Sequence, residues 1–459
     1  MSDKAPTLQK FPRTFWTANV TELFERGAYY AMASFVVVYL GQLGMGKTIP
    51  SNLNGMLLWG LVYFLPILSG TIADQVGFKK ALLTAFVLLS GGYFLMGYPV
   101  WFGGYAFSDV IKDEVTADSN LFAIVIGAIV LIGMGGSIIK PCISGTVQKT
   151  AGVIGRATLG FGIFYMVINI GSLFGRGTAF AVRKQLGLSY IFAVSIVCCI
   201  VAFFVVLLFY RDPEREGGEA GSKARKPLGR ILKDMFLVLR NVRFILFLLA
   251  SSGFFFIYAQ VYNVIPLYLK RVVDLDPPMD VITMANPFVI VTMQLLVTRL
   301  FGKWKPINSI VFGTVVLGIA MTLNLVPVFS EGGIRASFAG WVPIAFVFAA
   351  ITVGLIAVGE LFSAARTYEY IGALAPKGQE GLFLGYANLP MAIGAIVGGP
   401  IGAVIFNDIM CRGSKTLPSG LLELDPFWNS MGWVVLMGIG FASALAMWLY
   451  NFWLKRHPA

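Results

Sequence analysis

The chain has 459 residues, of which 57% are hydrophobic and only 13% are charged. This composition excludes a soluble protein with one core and indicates an integral membrane protein. We assign the net charge of +12 to membrane topology and lipid contact, and we expect no nucleic-acid partner.

Apolar runs long enough to cross a bilayer recur along the chain. About 20 residues are needed to span a hydrocarbon layer about 30 Å thick. The sequence predicts an all-α membrane protein with twelve such helices, near residues 15–40, 51–73, 79–101, 121–146, 156–182, 188–210, 243–269, 281–301, 307–328, 340–366, 380–406 and 430–454.

Basic residues fix the expected orientation of these helices. Lysines and arginines concentrate at both termini and in every second loop, so the positive-inside rule predicts that both termini are cytosolic. The polar N-terminus precedes no short apolar leader, and we expect no cleaved signal peptide. The protein is therefore predicted to be a multi-pass protein of the plasma membrane.

Three charges, Glu22, Glu25 and Arg26, lie inside the first predicted helix. Glu22 and Arg26 are four residues apart and share a helix face, and Tyr29 and Tyr30 follow one turn later. A charge at the bilayer centre costs about 3 kcal/mol on insertion scales, so such groups line a pathway and pair with one another. This pattern predicts a functional site within the membrane.

The loop between the second and third predicted helices combines glycines, a carboxylate and basic residues. Gly70, Asp74, Gly77, Lys79 and Lys80 are spaced as in the loop signature of the major facilitator superfamily, which they resemble. A carboxylate near helix ends and basic groups can latch one face of a protein and release it. The alternative is an ordinary solvated loop with a tight glycine turn.

Four polar residues stand inside later apolar segments. Lys140 precedes a proline in the fourth helix, and it either lines the site or extends to the inner interface. Asn169 in the fifth helix and Asn286 in the eighth carry amides, which bind polar ligands or join helices. Glu360 in the tenth helix either lines the site or forms a buried structural pair.

Cysteine and histidine usage limits the chemistry. Three of the four cysteines fall in predicted helices, so we expect neither a disulfide framework nor a metal site. The single histidine, His457, lies in the C-terminal tail, so a proton carrier inside the membrane has to be a carboxylate. We expect no cofactor other than protons as the coupling ion.

Six helices, a polar stretch and six more helices form the layout of a two-bundle transporter. We predict an N-terminal six-helix bundle in residues 1–210, a cytosolic linker in residues 211–242, and a C-terminal six-helix bundle in residues 243–459. Residues 227–240 have one apolar face, which predicts an amphipathic helix along the inner leaflet, with an extension of the seventh helix as the alternative.

Together these motifs resemble the proton-dependent oligopeptide transporters of the major facilitator superfamily. The family's first-helix signature, Glu-x-x-Glu-Arg-Phe-x-Tyr-Tyr, is matched from Glu22 to Tyr30, except that Gly27 replaces the phenylalanine. The further matches are Lys140-Pro141, Phe164-Tyr165 with Asn169 and Gly171, Asn286-Pro287, and Gly359-Glu360 with Leu374-Ala-Pro376-Lys377.

The resemblance implies a major facilitator fold, with twelve transmembrane helices in two six-helix bundles, that imports di- and tripeptides with protons by alternating access. The residues matching Asn169, Asn286 and Glu360 hold the amino end of the peptide in such transporters, and the residue matching Lys140 faces its carboxylate end. Three tyrosines are implied to line the site: Tyr29, Tyr30 and Tyr63.

Two charges of the family are absent from this chain. Ala33 stands where many members have an arginine that helps to hold the carboxylate end, and Ala259 replaces a glutamate of the seventh helix. Losing both leaves no unpaired charge, so the fold tolerates the change, but the substrate can differ. We expect Arg176 to reach the outer interface, and a contact with the substrate carboxylate is the alternative.

Charge counting suggests where the proton binds. Glu22, Glu25 and Glu360 against Arg26 and Lys140 leave one negative charge in excess, which one bound proton would neutralise. We expect Glu22 or Glu25 to accept this proton, after which the two bundles rock about the site.

Other functions stay open. The substrate could be another amino-acid-like compound or small organic anion, or the chain could be a membrane sensor that transports nothing. An enzyme is the weakest candidate, because we find no nucleophile–base pair and no metal-ligand spacing. The short loop between the ninth and tenth helices favours a protein of the bacterial inner membrane, and we expect a monomer with protons, small peptides and membrane lipids as its partners.

Overall fold

The computed structural model describes residues 10–154, 157–213, 240–374 and 386–456. The amphipathic helix predicted for the linker lies outside these residues, apart from its last position. The side chain of Asp74 also lies outside the described part of the chain.

The first half of the chain forms six long helical segments. In chain order they are α1 (Arg13–Ala33, continued by Val36–Gln42), α2 (Ile49–Asn52, Leu53–Trp59, Gly60–Phe64 and Pro66–Val76), α3 (Phe78–Trp101), α4 (Ser119–Val153), α5 (Ala157–Leu186) and α6 (Ile191–Phe209, after a short turn at Leu188–Tyr190).

The second half repeats this number of helical segments. They are α7 (Val242–Ala259, Gln260–Tyr262, Val264–Tyr268 and Leu269–Val273), α8 (Met279–Thr283 and Ala285–Phe301), α9 (Pro306–Thr322 and Leu325–Phe329), α10 (Ile344–Leu374), α11 (Leu389–Val404 and Ile405–Met410) and α12 (Pro426–Arg456). Two short antiparallel hairpins join helices: β1 (Ser337–Phe338) with β2 (Val342–Pro343), and β3 (Lys415–Thr416) with β4 (Leu422–Glu423).

Within the described ranges, eleven helices are long and apolar enough to cross a membrane. The first predicted span, α1, is not one of them, because Glu22, Glu25 and Arg26 lie near its centre. These three side chains are nevertheless buried inside the protein, so α1 packs like the other helices. The hydropathy pattern of the sequence therefore located the long helices well.

The predicted start of the tenth helix was wrong by several residues. Residues 337–343 form the β1–β2 hairpin, and α10 begins only at Ile344. Ala339 and Gly340 have φ angles of 51° and 78°, which turn the chain sharply between the two strands. This turn, and not hydropathy, sets where α10 begins.

Helix α7 is broken at the level where several aromatic side chains meet. Asn263 leaves helical geometry, with φ −122° and ψ −73°, three residues before Pro266. A proline ring clashes with the preceding helical turn and removes one backbone donor, so a break at this position follows from the sequence. Tyr258 and Tyr262 both lie just before this break, and their ring centroids are 6.0 Å apart.

The loops divide between two faces of the molecule. One face, which we call the hairpin face, carries both hairpins, the loop of residues 102–118 and the α7–α8 connection. The opposite face, the linker face, carries the α2–α3 turn and the ends of α6 and α12. Helices α1–α6 form the first bundle of the fold and α7–α12 the second.

The two bundles touch closely through glycines of α2 and α11. A Cβ atom on Gly55 would lie 2.7 Å from the Cα atom of Gly399 and 2.6 Å from the carbonyl oxygen of Ala395. Only glycine at both positions allows the two backbones to approach this closely. The contact holds the hairpin-face halves of the bundles together.

We expect Gly399→Ala to lower the melting temperature of the purified protein, because its methyl group would push α2 and α11 apart. Overpacking of this kind costs about 1–3 kcal/mol. Gly127→Ala on α4 is the matched control, since a Cβ atom there meets nothing within 4 Å. Equal melting temperatures for the two variants would contradict the close contact.

Candidate functional site: buried charges and tyrosines between the bundles

The predicted charge cluster of α1 is buried and internally paired. Arg26 Nε lies 3.3 Å from Glu22 Oε1, and the guanidinium also donates hydrogen bonds to Glu25. The second carboxylate oxygen of Glu22 is buried and has no hydrogen-bond partner among the described residues. A buried acceptor without a donor is costly, so Glu22 is the member of the cluster that gains most from a proton.

Glycines on both α1 and α5 let these two helices pack closely enough to bury the charges. A Cβ atom on Gly171 would lie 2.9 Å from the Cβ atom of Arg26. A Cβ atom on Gly27 would lie 3.1 Å from the ring of Phe174. The α5 phenylalanine therefore occupies the space that a bulky residue at position 27 would need, which explains the glycine in this chain.

Lys140 lies over an aromatic ring inside the first bundle. Its Nζ atom is 4.3 Å from the ring centroid of Tyr63, a cation–π distance. The residue is half-buried, and the described residues include no carboxylate within ion-pair distance of it. Pro141 packs against Gly70 of α2, where an added Cβ atom would lie 3.0 Å away. This contact fixes α4 beside α2.

Two of the three residues predicted at the amino end of a substrate are in contact. Asn286 Nδ2 donates a hydrogen bond to Glu360 Oε2 over 3.0 Å, which joins α8 to α10. Asn169 Nδ2 instead donates to the carbonyl oxygen of Tyr165, one turn back on its own helix, over 2.9 Å. Among the described residues, Glu360 has no basic partner within ion-pair distance.

Aromatic side chains from both bundles fill the space between these charges. The ring of Trp59 lies 5.5 Å from that of Tyr63, 6.2 Å from that of Tyr258 and 5.2 Å from that of Tyr262. We call these four residues the aromatic cluster. The sequence motifs had indicated only Tyr63 as a site residue, because nothing local marks Trp59 or Tyr262 as neighbours of a residue in the other bundle.

Arg176 is buried between the bundles, so the expectation that it reaches the outer interface is wrong. The residue is 1% exposed. Its Nε donates to Thr283 Oγ1 over 2.9 Å and its Nη2 to the Tyr262 hydroxyl over 3.1 Å, while Nη1 donates to Ser172. Its Cζ atom lies 4.3 Å from the ring centroid of Tyr30. Helix α5 continues to Leu186, nearly three turns beyond Arg176, so the outer end of the helix lies well past this residue.

This position changes the predicted charge balance. Arg176 adds a third positive charge to those of Arg26 and Lys140, which equals the number of glutamates. The predicted excess of one negative charge is therefore wrong. The site is neutral when all six groups are ionised. A proton added to Glu22 then leaves the site with one positive charge in excess.

A second buried ion pair, missed by the sequence analysis, joins the bundles at the hairpin face. Arg183 of α5 contacts Asp280 of α8 through two hydrogen bonds of 3.1 and 3.2 Å, and the two side chains are 3% and 1% exposed. Arg183 also contacts Asp276, which is largely exposed. One turn deeper, Ser34 and Thr283 share a hydrogen bond of 2.8 Å between α1 and α8.

Asp113 in the loop of residues 102–118 makes a further charged contact between the bundles. It pairs with Arg271 of α7 and lies 3.4 Å from Lys47 Nζ. Burial raises the pKa of Asp113, but the neighbouring Arg271 and Lys47 outweigh burial and hold that pKa below its usual range. The carboxylate therefore keeps its charge at lower pH than an ordinary aspartate does.

The predicted loop motif at the linker face docks on the end of α6. Gly77 has φ 97°, which a residue with a side chain rarely adopts. The backbone N–H of Lys79 donates to Asp212 Oδ1 over 2.9 Å, and its Nζ donates to the carbonyl oxygen of Leu207 over 2.9 Å. Lys80 is exposed. Nothing in the sequence around the loop motif had indicated Asp212 as a partner of this turn.

Two helical bundles that enclose buried, paired charges form the architecture of a secondary membrane transporter. Comparison with known sequences agrees with this class. The chain belongs to the Major Facilitator Superfamily, whose profile matches residues 20–368.

Sequence relatives of this chain include a cation/proton antiporter and a peptide permease. A Na(+), Li(+), K(+)/H(+) antiporter of Planococcus maritimus is 23% identical over 421 residues, 85% of this chain and 89% of the antiporter. Dipeptide and tripeptide permease A of Klebsiella pneumoniae is 26% identical over 246 residues, 53% of this chain. That alignment spans 45% of the permease, less than half its length.

The fold is shared with solved transporters over nearly the whole chain. A structure described as giving insights into substrate recognition in proton dependent oligopeptide transporters superposes with a TM-score of 0.71 at 18% identity. The match covers 96% of this chain and 98% of the other. This similarity confirms the predicted major facilitator fold with two six-helix bundles.

Proposed function

We propose that this chain is a proton-coupled symporter that imports di- and tripeptides. The observation that carries the proposal is the separation of opposite charges around the aromatic cluster. Lys140 lies on the first-bundle side, and Glu360 with Asn286 lies on the second-bundle side. A short zwitterionic peptide has one positive and one negative end, and it can bridge two such groups.

We assign the proton-coupling role to Glu22, Glu25 and Arg26 and the substrate role to the residues around the aromatic cluster. Glu22 accepts the proton, because its second carboxylate oxygen is buried without a donor. Substrate contacts come from the residues predicted for this role: Tyr29, Tyr30, Tyr63, Lys140, Asn169, Asn286 and Glu360.

We place the hairpin face outside the cell and the linker face in the cytosol, with both termini cytosolic. Basic residues are concentrated at the linker face, as the positive-inside rule requires. The bundles correspond to residues 1–210 and 243–459, and residues 211–242 join them. The bundles are held together at the hairpin face, so the site opens toward the cytosol. We assign the α2–α3 turn, from Gly70 to Lys80, as a latch for the cytosolic face.

A cation/proton antiporter is the second candidate, since the antiporter relative aligns over most of both chains. Two features favour the peptide symporter. Lys140 and Arg176 both lie beside the aromatic cluster without a carboxylate partner among the described residues, and they would repel a bound metal cation. The same two cations attract a carboxylate.

Uptake by proteoliposomes tests the proposal. We expect labelled dialanine to accumulate above equilibrium when the outside is acidic and the lumen electrically negative, and to equilibrate without a gradient. Unlabelled di- and tripeptides should compete, whereas alanine and tetraalanine should not. Equal competition by alanine would indicate a different substrate, and lumenal pH changes driven by Na⁺ or K⁺ without peptide would indicate the antiporter.

We expect Asp113→Asn to leave the pH midpoint of uptake unchanged between pH 5 and 8. The depressed pKa of Asp113 means that its ion pair is present above the ordinary aspartate pKa and is lost only as the pH falls through the lower, folded-state value. External acidity therefore acts on the buried glutamates and not on this contact. A midpoint shift of a full pH unit would assign the pH response to Asp113 instead.

A further inference from the structure

We propose that Arg176 binds the carboxylate of the transported substrate, and this proposal rests on the proposed function of the same site. Four arginines of the described chain are less than a tenth exposed: Arg26, Arg176, Arg183 and Arg271. Three of them contact a carboxylate within the protein. Among the described residues, Arg176 contacts none.

The contacts of Arg176 orient its charge without neutralising it. Ser172, Thr283 and Tyr262 offer neutral hydroxyl oxygens, and each accepts one hydrogen bond from the guanidinium. A guanidinium has five N–H groups in a fixed plane, so two remain for another acceptor. A buried charge without a counter-ion destabilises a protein. Such an arrangement suits a site whose counter-ion arrives with the ligand.

The position of Arg176 places this charge beside the proposed peptide site. Its guanidinium lies over the ring of Tyr30 and donates to Tyr262, a member of the aromatic cluster. Lys140 lies over Tyr63 at another edge of the same cluster. Trp59 contacts both Tyr63 and Tyr262, so Lys140 and Arg176 flank the same group of rings.

Charge balance favours a ligand that carries its own carboxylate. The site is neutral when all six charged groups are ionised, and protonation of Glu22 leaves one positive charge in excess. A carboxylate bound at Arg176 compensates that charge inside the low-dielectric interior, where it has the largest effect. The planar guanidinium matches a carboxylate in two parallel hydrogen bonds, which a lysine cannot reproduce.

Carboxylate binding also competes with the contacts between the bundles. Arg176 belongs to α5, whereas Thr283 and Tyr262 belong to α8 and α7. A carboxylate bound to the two remaining N–H groups draws the guanidinium away from these hydroxyls, which loosens the link between the bundles at that level. Substrate binding and bundle movement are thereby connected through one side chain.

The test compares dialanine with dialanine amide, which lacks the terminal carboxylate. In the wild-type protein we expect dialanine to bind at least about tenfold more tightly, as for a charged hydrogen bond in a buried site. Binding is followed by the ligand-induced rise in melting temperature, which needs no transport, and by the KM of uptake. Equal binding of the acid and the amide to wild type would overturn the proposal.

Substitutions then assign the discrimination to one residue. Arg176→Gln is expected to raise the KM for dialanine about ten- to hundredfold and to leave that for the amide nearly unchanged. Arg176→Lys keeps the charge but not the paired geometry, so an intermediate KM is expected. Arg299→Gln, at an exposed arginine of α8, is the matched control.

The outcomes separate this proposal from the proposed function. Proton-driven dialanine uptake with an unchanged acid-to-amide ratio in both Arg176 variants would overturn the role of Arg176 and keep the transport function. Carboxylate-dependent binding that is lost in Arg176→Gln, without any proton-driven uptake by wild type, would support Arg176 and overturn the peptide symporter. If Arg176→Gln does not fold, the acid-to-amide binding ratio of Arg176→Lys is compared with that of wild type. A lower ratio in Arg176→Lys supports the role of Arg176, and an equal ratio overturns it.

Discussion

Glu22→Gln is expected to abolish proton-driven accumulation of dialanine while downhill exchange of the peptide continues. Glutamine cannot accept a proton, and the unpaired oxygen of Glu22 is where we place the coupling proton. A membrane potential of 100 mV supplies about 2.3 kcal/mol per charge, or about 40-fold accumulation. We expect this ratio to fall to about one in the variant.

Two comparisons make this result specific. Glu369→Gln, which removes the exposed partner of Arg366 on α10, is the control and should accumulate dialanine like wild type. Glu25→Gln should behave differently from Glu22→Gln, because Glu25 is the carboxylate that directly receives hydrogen bonds from Arg26. We expect a lower melting temperature for Glu25→Gln. Full accumulation by both single variants and by the double variant would rule out the α1 glutamates as proton carriers.

Asp280→Asn is expected to release the bundles at the hairpin face. The substitution leaves the buried guanidinium of Arg183 with only the largely exposed Asp276 as its carboxylate partner. Removing one member of a buried ion pair costs about 3–5 kcal/mol. A shift of this size moves a two-state equilibrium between closed and open hairpin faces by about a hundredfold or more.

Spin labels report this opening directly. Leu186 at the end of α5 and Trp341 in the β1–β2 hairpin are exposed positions on opposite bundles. We expect a longer label–label distance in Asp280→Asn than in wild type. Lys184→Gln is the matched control, because it removes an exposed ion pair on the same helix, worth less than about 1 kcal/mol. The same distance distribution in both variants would show that Arg183 and Asp280 do not hold this face closed.

Features that depend on neighbours along the chain were predictable from the sequence. The spans follow from hydropathy, and the contact between Glu22 and Arg26 follows from their four-residue spacing on one helix. Asn286 and Glu360 lie on different helices, and the family resemblance alone placed them at one site; their hydrogen bond was not predicted. The remaining assigned site residues stay predictions, since geometry alone does not test what they bind.

Contacts between the bundles were not predictable in this way. Arg176 meets Tyr262 and Thr283, which are 86 and 107 residues away in the sequence. Both partners are neutral hydroxyls, so no pattern of opposite charges links them to an arginine. Arg183 and Asp280 are 97 residues apart, and they became partners only when α5 and α8 were placed side by side. Hydropathy and local spacing contain no information on that placement.

Simultaneous measurement of proton and peptide movement tests whether each peptide enters together with a proton. Proteoliposomes that hold a pH-sensitive dye would receive dialanine on the outside, with no imposed gradient and the potential clamped at zero. We expect the lumen to acidify as the peptide enters, and we expect Glu22→Gln to abolish the acidification. Peptide entry without acidification in wild type, or a pH change that follows Na⁺ or K⁺ and not the peptide, would contradict proton-coupled import of the peptide.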